Sequence, residues 1–142
     1  MYVFTRSGVA WSQQAYIKAS NPQAGDDFGF SVALSPDGNT LAVGAIREAS
    51  NAPGVNGNQA DNSVNLAGAA YLFTRSAGSW SQTAYLKAPV PKNTGIMGWA
   101  VALSADGSTL AVGSSSENSA ATGIGGNAAD TSAVQAGAVI LY

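Results

Sequence analysis

The chain has 142 residues and a formal net charge of −2, from six basic and eight acidic side chains. It contains no histidine and no cysteine, which excludes His-based general acid–base catalysis, Ser-His-Asp and Cys-His nucleophile systems, and zinc sites of N/S type. Charged residues make up only 10% of the chain and form no basic cluster, so no nucleic-acid partner is expected, and no apolar run approaches the roughly 20 residues that cross a bilayer.

Alanine accounts for 27 of the 142 residues, so large apolar side chains are scarce and the core must be thin. In chain order, Tyr2 to Arg6 and Trp11 to Ala19 read as a first hairpin. Ser31–Ser35 and Thr40–Gly44 are short β-type runs around Pro36-Asp37-Gly38-Asn39, a turn in which Pro supplies a fixed φ and Gly a positive one. Residues 46–66 are polar, rich in Asn, Gly and Ala, and lack aromatics, which predicts a surface excursion without regular structure. Gly68 to Arg75 and Trp80 to Ala88 form a further hairpin through Ser76-Ala77-Gly78-Ser79. No stretch has the apolar spacing of three and four that a helix needs, so the fold class is all-β.

An internal repeat organises these elements. An offset of 69 residues, without gaps, makes 38 of 73 aligned pairs identical. It places Tyr2-Val3-Phe4-Thr5-Arg6-Ser7 on Tyr71-Leu72-Phe73-Thr74-Arg75-Ser76, and Val32 to Gly38 on Val101 to Gly107. Met1–Phe4, Ala70–Phe73 and Val139–Tyr142 are three copies of one position. The chain therefore begins and ends inside the same element.

Four antiparallel strands in tandem point to propeller blades, with a β-solenoid or a two-sheet sandwich as competitors. Phe28-Gly29, then Gly44-Ala45, then Gly68-Ala69-Ala70-Tyr71-Leu72-Phe73 after the long loop resemble the FG-GAP repeat of integrin α-chain propellers and of many bacterial surface proteins. The second copy departs from that pattern, with Met97-Gly98 for Phe-Gly and Gly113-Ser114-Ser115 for Gly-Ala-Pro; in the first, Ile46 stands where the family has Pro. The resemblance implies two tandem four-stranded antiparallel blades. Residues 1–27 are then the outer-strand hairpin of a split blade, 28–97 a complete blade carrying the loop 46–66, and 98–142 the first three strands of a second blade. That second blade would be completed by another chain or by sequence outside these 142 residues. Two blades cannot close a propeller of four to eight, so a homo-oligomer of three or four chains, or a filament, is expected.

The family often binds calcium at the turn between the first two strands, through a loop resembling Asp-x-Asp-x-Asp-Gly. Here that turn offers only Asp37, and Asp106 in the second repeat, against the six to eight oxygens calcium takes, so both are read as turn-formers and no metal site is carried over. Glu48, Asn58 and Asp61 recur as Glu117, Asn127 and Asp130 within an otherwise drifting loop. Tying down loop backbone is the favoured role for them, with a weak cation or ligand site as the alternative. Asp26-Asp27 has no counterpart at Gly95-Ile96.

Tyr2, Phe4, Tyr71 and Phe73 alternate along strands and are expected between sheets. Trp11, Trp80 and Trp99 are read as packing rather than as glycan contacts. Gly123-Ile124-Gly125-Gly126 follows no predicted strand and opens no helix, so it is a connector and no phosphate cradle. No catalytic residue and no cofactor can be named. The expectation is a non-catalytic structural or adhesive repeat module, secreted or on a cell surface by its Ser/Asn/Thr/Gly-rich, Lys-poor composition. The alternatives are a glycan- or protein-binding propeller module, or a fragment of a longer FG-GAP repeat surface protein.

Overall fold

A computed structural model describes residues 1–142 and contains ten strands and no helix. They are β1 (Tyr2–Ser7), β2 (Ala10–Tyr16), β3 (Phe28–Leu34), β4 (Thr40–Ala45), β5 (Gly54–Val55), β6 (Ala69–Ser76), β7 (Ser79–Lys87), β8 (Met97–Leu103), β9 (Leu110–Ser114) and β10 (Ala138–Leu141). They form three open antiparallel sheets: the hairpin β1-β2, a five-stranded sheet in the order β3-β4-β6-β7-β5, and a three-stranded sheet in the order β10-β9-β8.

The turns set the registers. Ser7↔Ala10 and Ser76↔Ser79 close two-residue hairpins, the first with positive φ at Gly8 and the second at both Ala77 and Gly78, the backbone twist that such short loops require. Pairing then recurs at the 69-residue offset. Val32↔Val43 and Leu34↔Leu41 between β3 and β4 become Val101↔Val112 and Leu103↔Leu110 between β8 and β9, and the irregularity after Phe28 returns after Met97. Likewise Ala69↔Ala45 becomes Ala138↔Ser114.

Strand alternation gives the five-stranded sheet two apolar faces. Leu41, Val43, Tyr71, Phe73 and Tyr85 point one way and pack against Ile17 and Ala19, which follow from the hairpin. Ala42, Ala70 and Leu86 point the other way and meet Met97, Leu110 and Val112 of the three-stranded sheet. At that junction the backbones almost touch. A Cβ on Gly44 would collide with the carbonyl of Gly98, one on Gly98 with the carbonyl of Ala69, and one on Gly68 with the backbone of Met97, while Ser31 Oγ donates to Gly98 O at 2.7 Å. The Phe-Gly and Gly-Ala positions are thus the two halves of one sheet-to-sheet contact.

Two sequence expectations are corrected. The segment 46–66 is not simply a surface excursion. Ile46, Glu48, Ser50 and Ala52 are buried in strand-like alternation, and β5 pairs with β7 through Gly54↔Lys87 and Val55↔Leu86, adding a fifth strand to the four expected. Tyr2 and Phe4 do not lie between sheets: both are more than half exposed, whereas their copies Tyr71 and Phe73 are buried. The hairpin has a neighbour on one face only.

Gly44→Ala should cost about 1–3 kcal/mol in urea unfolding, because neither backbone at the junction can yield. Gly113→Ala, its copy at the free face of the three-stranded sheet with nothing nearer than 3.6 Å, should leave stability unchanged or slightly raised.

Candidate functional site

The most constrained polar group in the molecule is Glu48, just past β4, beside Lys87 at the end of β7. Lys87 Nζ donates to Glu48 Oε2 at 2.8 Å, and both side chains are essentially without solvent contact. The carboxylate also accepts the Ser50 N–H on both oxygens at 3.2 Å, Ser50 Oγ at 3.2 Å, and Asn21 Nδ2 on Oε1 at 3.1 Å. Asn21 Oδ1 takes the Tyr71 hydroxyl at 2.7 Å, and Ser50 Oγ meets the Tyr85 hydroxyl. Burial pulls the Lys87 ammonium below the ordinary lysine range, against the carboxylate that holds it charged, and pushes both tyrosines up. Burial also raises nearby Asp26, whose carboxylate accepts the Gln23 N–H at 2.8 Å. No buried side-chain nitrogen or oxygen is left without a partner, so this cluster is a clamp joining the start of the long loop to the last long strand.

The second repeat has half of this clamp. Glu117 Oε1 accepts Lys92 Nζ at 2.6 Å, and Oε2 accepts the Ser119 N–H at 2.8 Å. Burial draws the Glu117 carboxyl up, but the Lys92 ammonium and the Ser119 N–H outweigh it and hold it below the usual glutamate range. Lys92 also donates to Asp130 O at 2.6 Å.

The remaining residues singled out by recurrence tie down their own loops and do not converge on Glu48. Asn58 Oδ1 accepts Ala60 N at 3.1 Å and Asp61 Oδ1 accepts Ser63 N at 2.7 Å. Asn127 repeats the first bond on Ala129 at 3.1 Å, and Asp130 holds Ser132 N at 3.0 Å and Ala120 N at 2.8 Å. At the β3–β4 turn Asp37 accepts Ser35 Oγ at 2.5 Å and Asn39 N at 3.0 Å; at the β8–β9 turn Asp106 accepts Ser104 Oγ at 2.5 Å and Ser108 N at 3.1 Å. Those bonds hold the Asp106 carboxyl down at about 2. Asp27 forms an exposed pair with Arg47 at 3.1 Å. Lys87 carried no weight in the sequence, although its recurrence as Lys18 at the same offset as Glu48 and Glu117 was the available signal.

A cavity of about 410 Å³ runs along β10, walled by Glu117, Ser119 and Gly123 to Gly126. A second, of about 340 Å³, lies between β1 and the β3 residues Val32 and Leu34. Phe30 and Trp99, one offset apart, pack ring on ring at 5.0 Å and are both about half exposed. Tyr2, Phe4 and Tyr16 face outward from the hairpin, and Val139 and Leu141 face outward from β10.

This is a repeat protein of stacked antiparallel sheets, in which Phe-Gly and Gly-Ala positions make the sheet-to-sheet contact. Residues 11–73 match the family model of the FG-GAP repeat, and that stretch is an FG-GAP repeat. The second 69-residue unit lies outside the match. No curated protein and no solved structure matched the chain.

Lys87→Met or Glu48→Gln alone should lower unfolding free energy by about 3–5 kcal/mol, since each strands a buried partner, while the double substitution should cost less than their sum in a double-mutant cycle. The Asp106 carboxyl lies below its unfolded value of 3.8, so its stabilisation is complete above about pH 4 and fades as pH falls towards 2. Urea melts at pH 5 and pH 2 should show this loss, and Asp106→Asn should flatten the slope between them.

Proposed function

We propose that the chain is a non-catalytic structural or adhesive repeat module whose sheets are propeller-type blades, and that it assembles head to tail through its two end sheets. The observation that carries this is the pair of faces left without neighbours. The hairpin presents Tyr2, Phe4 and Tyr16, copies of the Tyr71, Phe73 and Tyr85 that fill the first internal interface. The three-stranded sheet presents Val139 and Leu141, copies of the Ala70 and Leu72 that line the second. An aromatic face at one end and an aliphatic face at the other are complementary but different, the arrangement that gives rings or filaments rather than two-fold dimers. With the hairpin of one chain completing the split blade of the next, each chain contributes two blades, and three or four chains would bring the number to six or eight, within the propeller range. A secreted or cell-surface setting fits the composition and the FG-GAP repeat.

A second reading, recognition of a glycan or protein, is favoured by the exposed Phe30–Trp99 pair, since aromatic faces stack on sugars. Glycan arrays and pull-downs address it directly.

Deleting residues 1–19 would also strip Ile17 and Ala19 from the core, so surface substitutions test the assembly better. Tyr16→Glu and Val139→Glu should each leave the circular dichroism spectrum intact and reduce the particle to a monomer by light scattering. Mixed one to one, they should form a dimer through the one interface that neither substitution touches. A stable 14.2 kDa monomer of the unaltered chain would overturn the proposal.

A further inference from the structure

The groove along β10 has a counterpart that is already filled. In the five-stranded sheet the same position, between β6 and the loop, holds β7, with Ala70↔Leu86 and Tyr71↔Tyr85 on one edge and Gly54↔Lys87 on the other. One offset further on, the walls are present: Val139 and Ile140 for Ala70 and Tyr71, Gly123 for Gly54, Glu117 for Glu48 and Ser119 for Ser50. No strand lies between them.

The carboxylate shows what such a strand must carry. In the filled site Glu48 Oε1 is held by Asn21, from the connection before β3, and Oε2 takes the strand's Lys87. In the open site Glu117 Oε1 is held by Lys92, from the connection before β8, and Oε2 accepts only the Ser119 N–H. Lys92 therefore stands in for Asn21 and not for Lys87, and the oxygen that the strand lysine uses is left for an incoming cation. The side chain of Glu117 is 17% exposed, against 1% for Glu48.

A matching strand exists in the chain. Ala10–Ala19 shares Trp, Ser, Gln, Ala, Tyr, Lys and Ala with Ser79–Ala88 at the same seven places. Tyr16 is 58% exposed, whereas its copy Tyr85 is fully buried, and Lys18 is likewise exposed where Lys87 is not.

We infer that the β10 groove is a strand-acceptor site that takes the Ala10–Ala19 segment of a second copy by antiparallel edge pairing, with Glu117 receiving its Lys18. The register is the one repeated from the filled site: Ile140 opposite Tyr16, Val139 opposite Ile17, and Gly123 opposite Lys18. Main-chain bonds to β10 supply affinity, and the lysine, burying itself against Glu117, supplies selectivity. Between whole chains, β2 must exchange β1 for β10 as its partner. Since β1 and β10 are copies of one strand, the exchange replaces like pairing with like while burying Tyr16 and Lys18. This rests on the head-to-tail reading above and names its contact.

The test uses a labelled peptide of residues 10–19 titrated into the dilute 142-residue chain by fluorescence anisotropy. Saturable binding is expected, lost with a scrambled peptide and with one N-methylated along the β10-facing edge. Lys18→Met in the peptide, or Glu117→Gln in a chain whose circular dichroism is unchanged, should weaken binding about thirtyfold or more, and combining them should cost little beyond either alone. Equal binding of the scrambled peptide, insensitivity to both substitutions, or no binding overturns the inference. Peptide binding to a chain that stays monomeric at all concentrations keeps the acceptor site and overturns self-assembly. An oligomer that the peptide neither binds nor dissociates keeps self-assembly and overturns the acceptor site.

Discussion

The carbonyl of Gly98 lies against the backbone of Gly44, and Met97 forms a parallel bridge with Gly68, so that two sheets meet through main chain rather than side chain. This close approach suits a chain in which seven of the eighteen buried apolar residues are alanine. Side chains that reach only one carbon from the backbone fill the space between sheets only if the sheets come close, and close sheets require positions without a Cβ at the point of nearest approach. The larger residues Tyr71, Phe73 and Tyr85 pack on the opposite face of the five-stranded sheet, with Ile17 and Ala19. Substituting one of these glycines shifts a whole sheet, which is why the FG-GAP positions concern packing before anything else.

The same closeness makes the polar clamp costly and specific. Glu48 and Lys87 sit at one end of the first interface with no route to water, where four donors make five hydrogen bonds to one carboxylate. An apolar pair could fill this space with less desolvation penalty. It would not hold the loop after β4 to the end of β7 in one register, whereas the clamp, bonded also to Asn21 from the connection before β3, fixes three segments at once. Registry between strands and loops, more than net stability, is what such a group contributes.

Much of this was legible in the sequence because turns and offset carry local information. Gly8, Ala77-Gly78 and the Asp37-Gly38 and Asp106-Gly107 turns place the strand ends, and the 69-residue recurrence transfers each pairing to its copy. β5 was hidden because Gly54-Val55 offers no period, and because the buried positions before it alternate as Ile46, Glu48, Ser50 and Ala52, an inward pattern written half in polar residues. Lys87 was hidden because a single lysine on a strand reads as a solvated face. The exposure of Tyr2 and Phe4 was beyond any local rule, since the same residues at Tyr71 and Phe73 are buried and only the neighbouring sheet differs.

That last difference separates what a repeat encodes from what its place in a stack decides. The five-stranded sheet turns a face of aromatic and large aliphatic side chains towards the hairpin and a face of alanine and leucine towards the three-stranded sheet. Its two faces differ, so the stack has a direction. A directional stack grows by adding identical contacts, and the sheets' twist sets a fixed rotation per step. In the proposed assembly, rotations that sum to a full turn would close a ring and give Tyr16 and Leu141 the neighbours that their copies already have. Rotations that do not would carry the same contact along an axis, so that ring or filament would follow from an angle rather than from any additional residue.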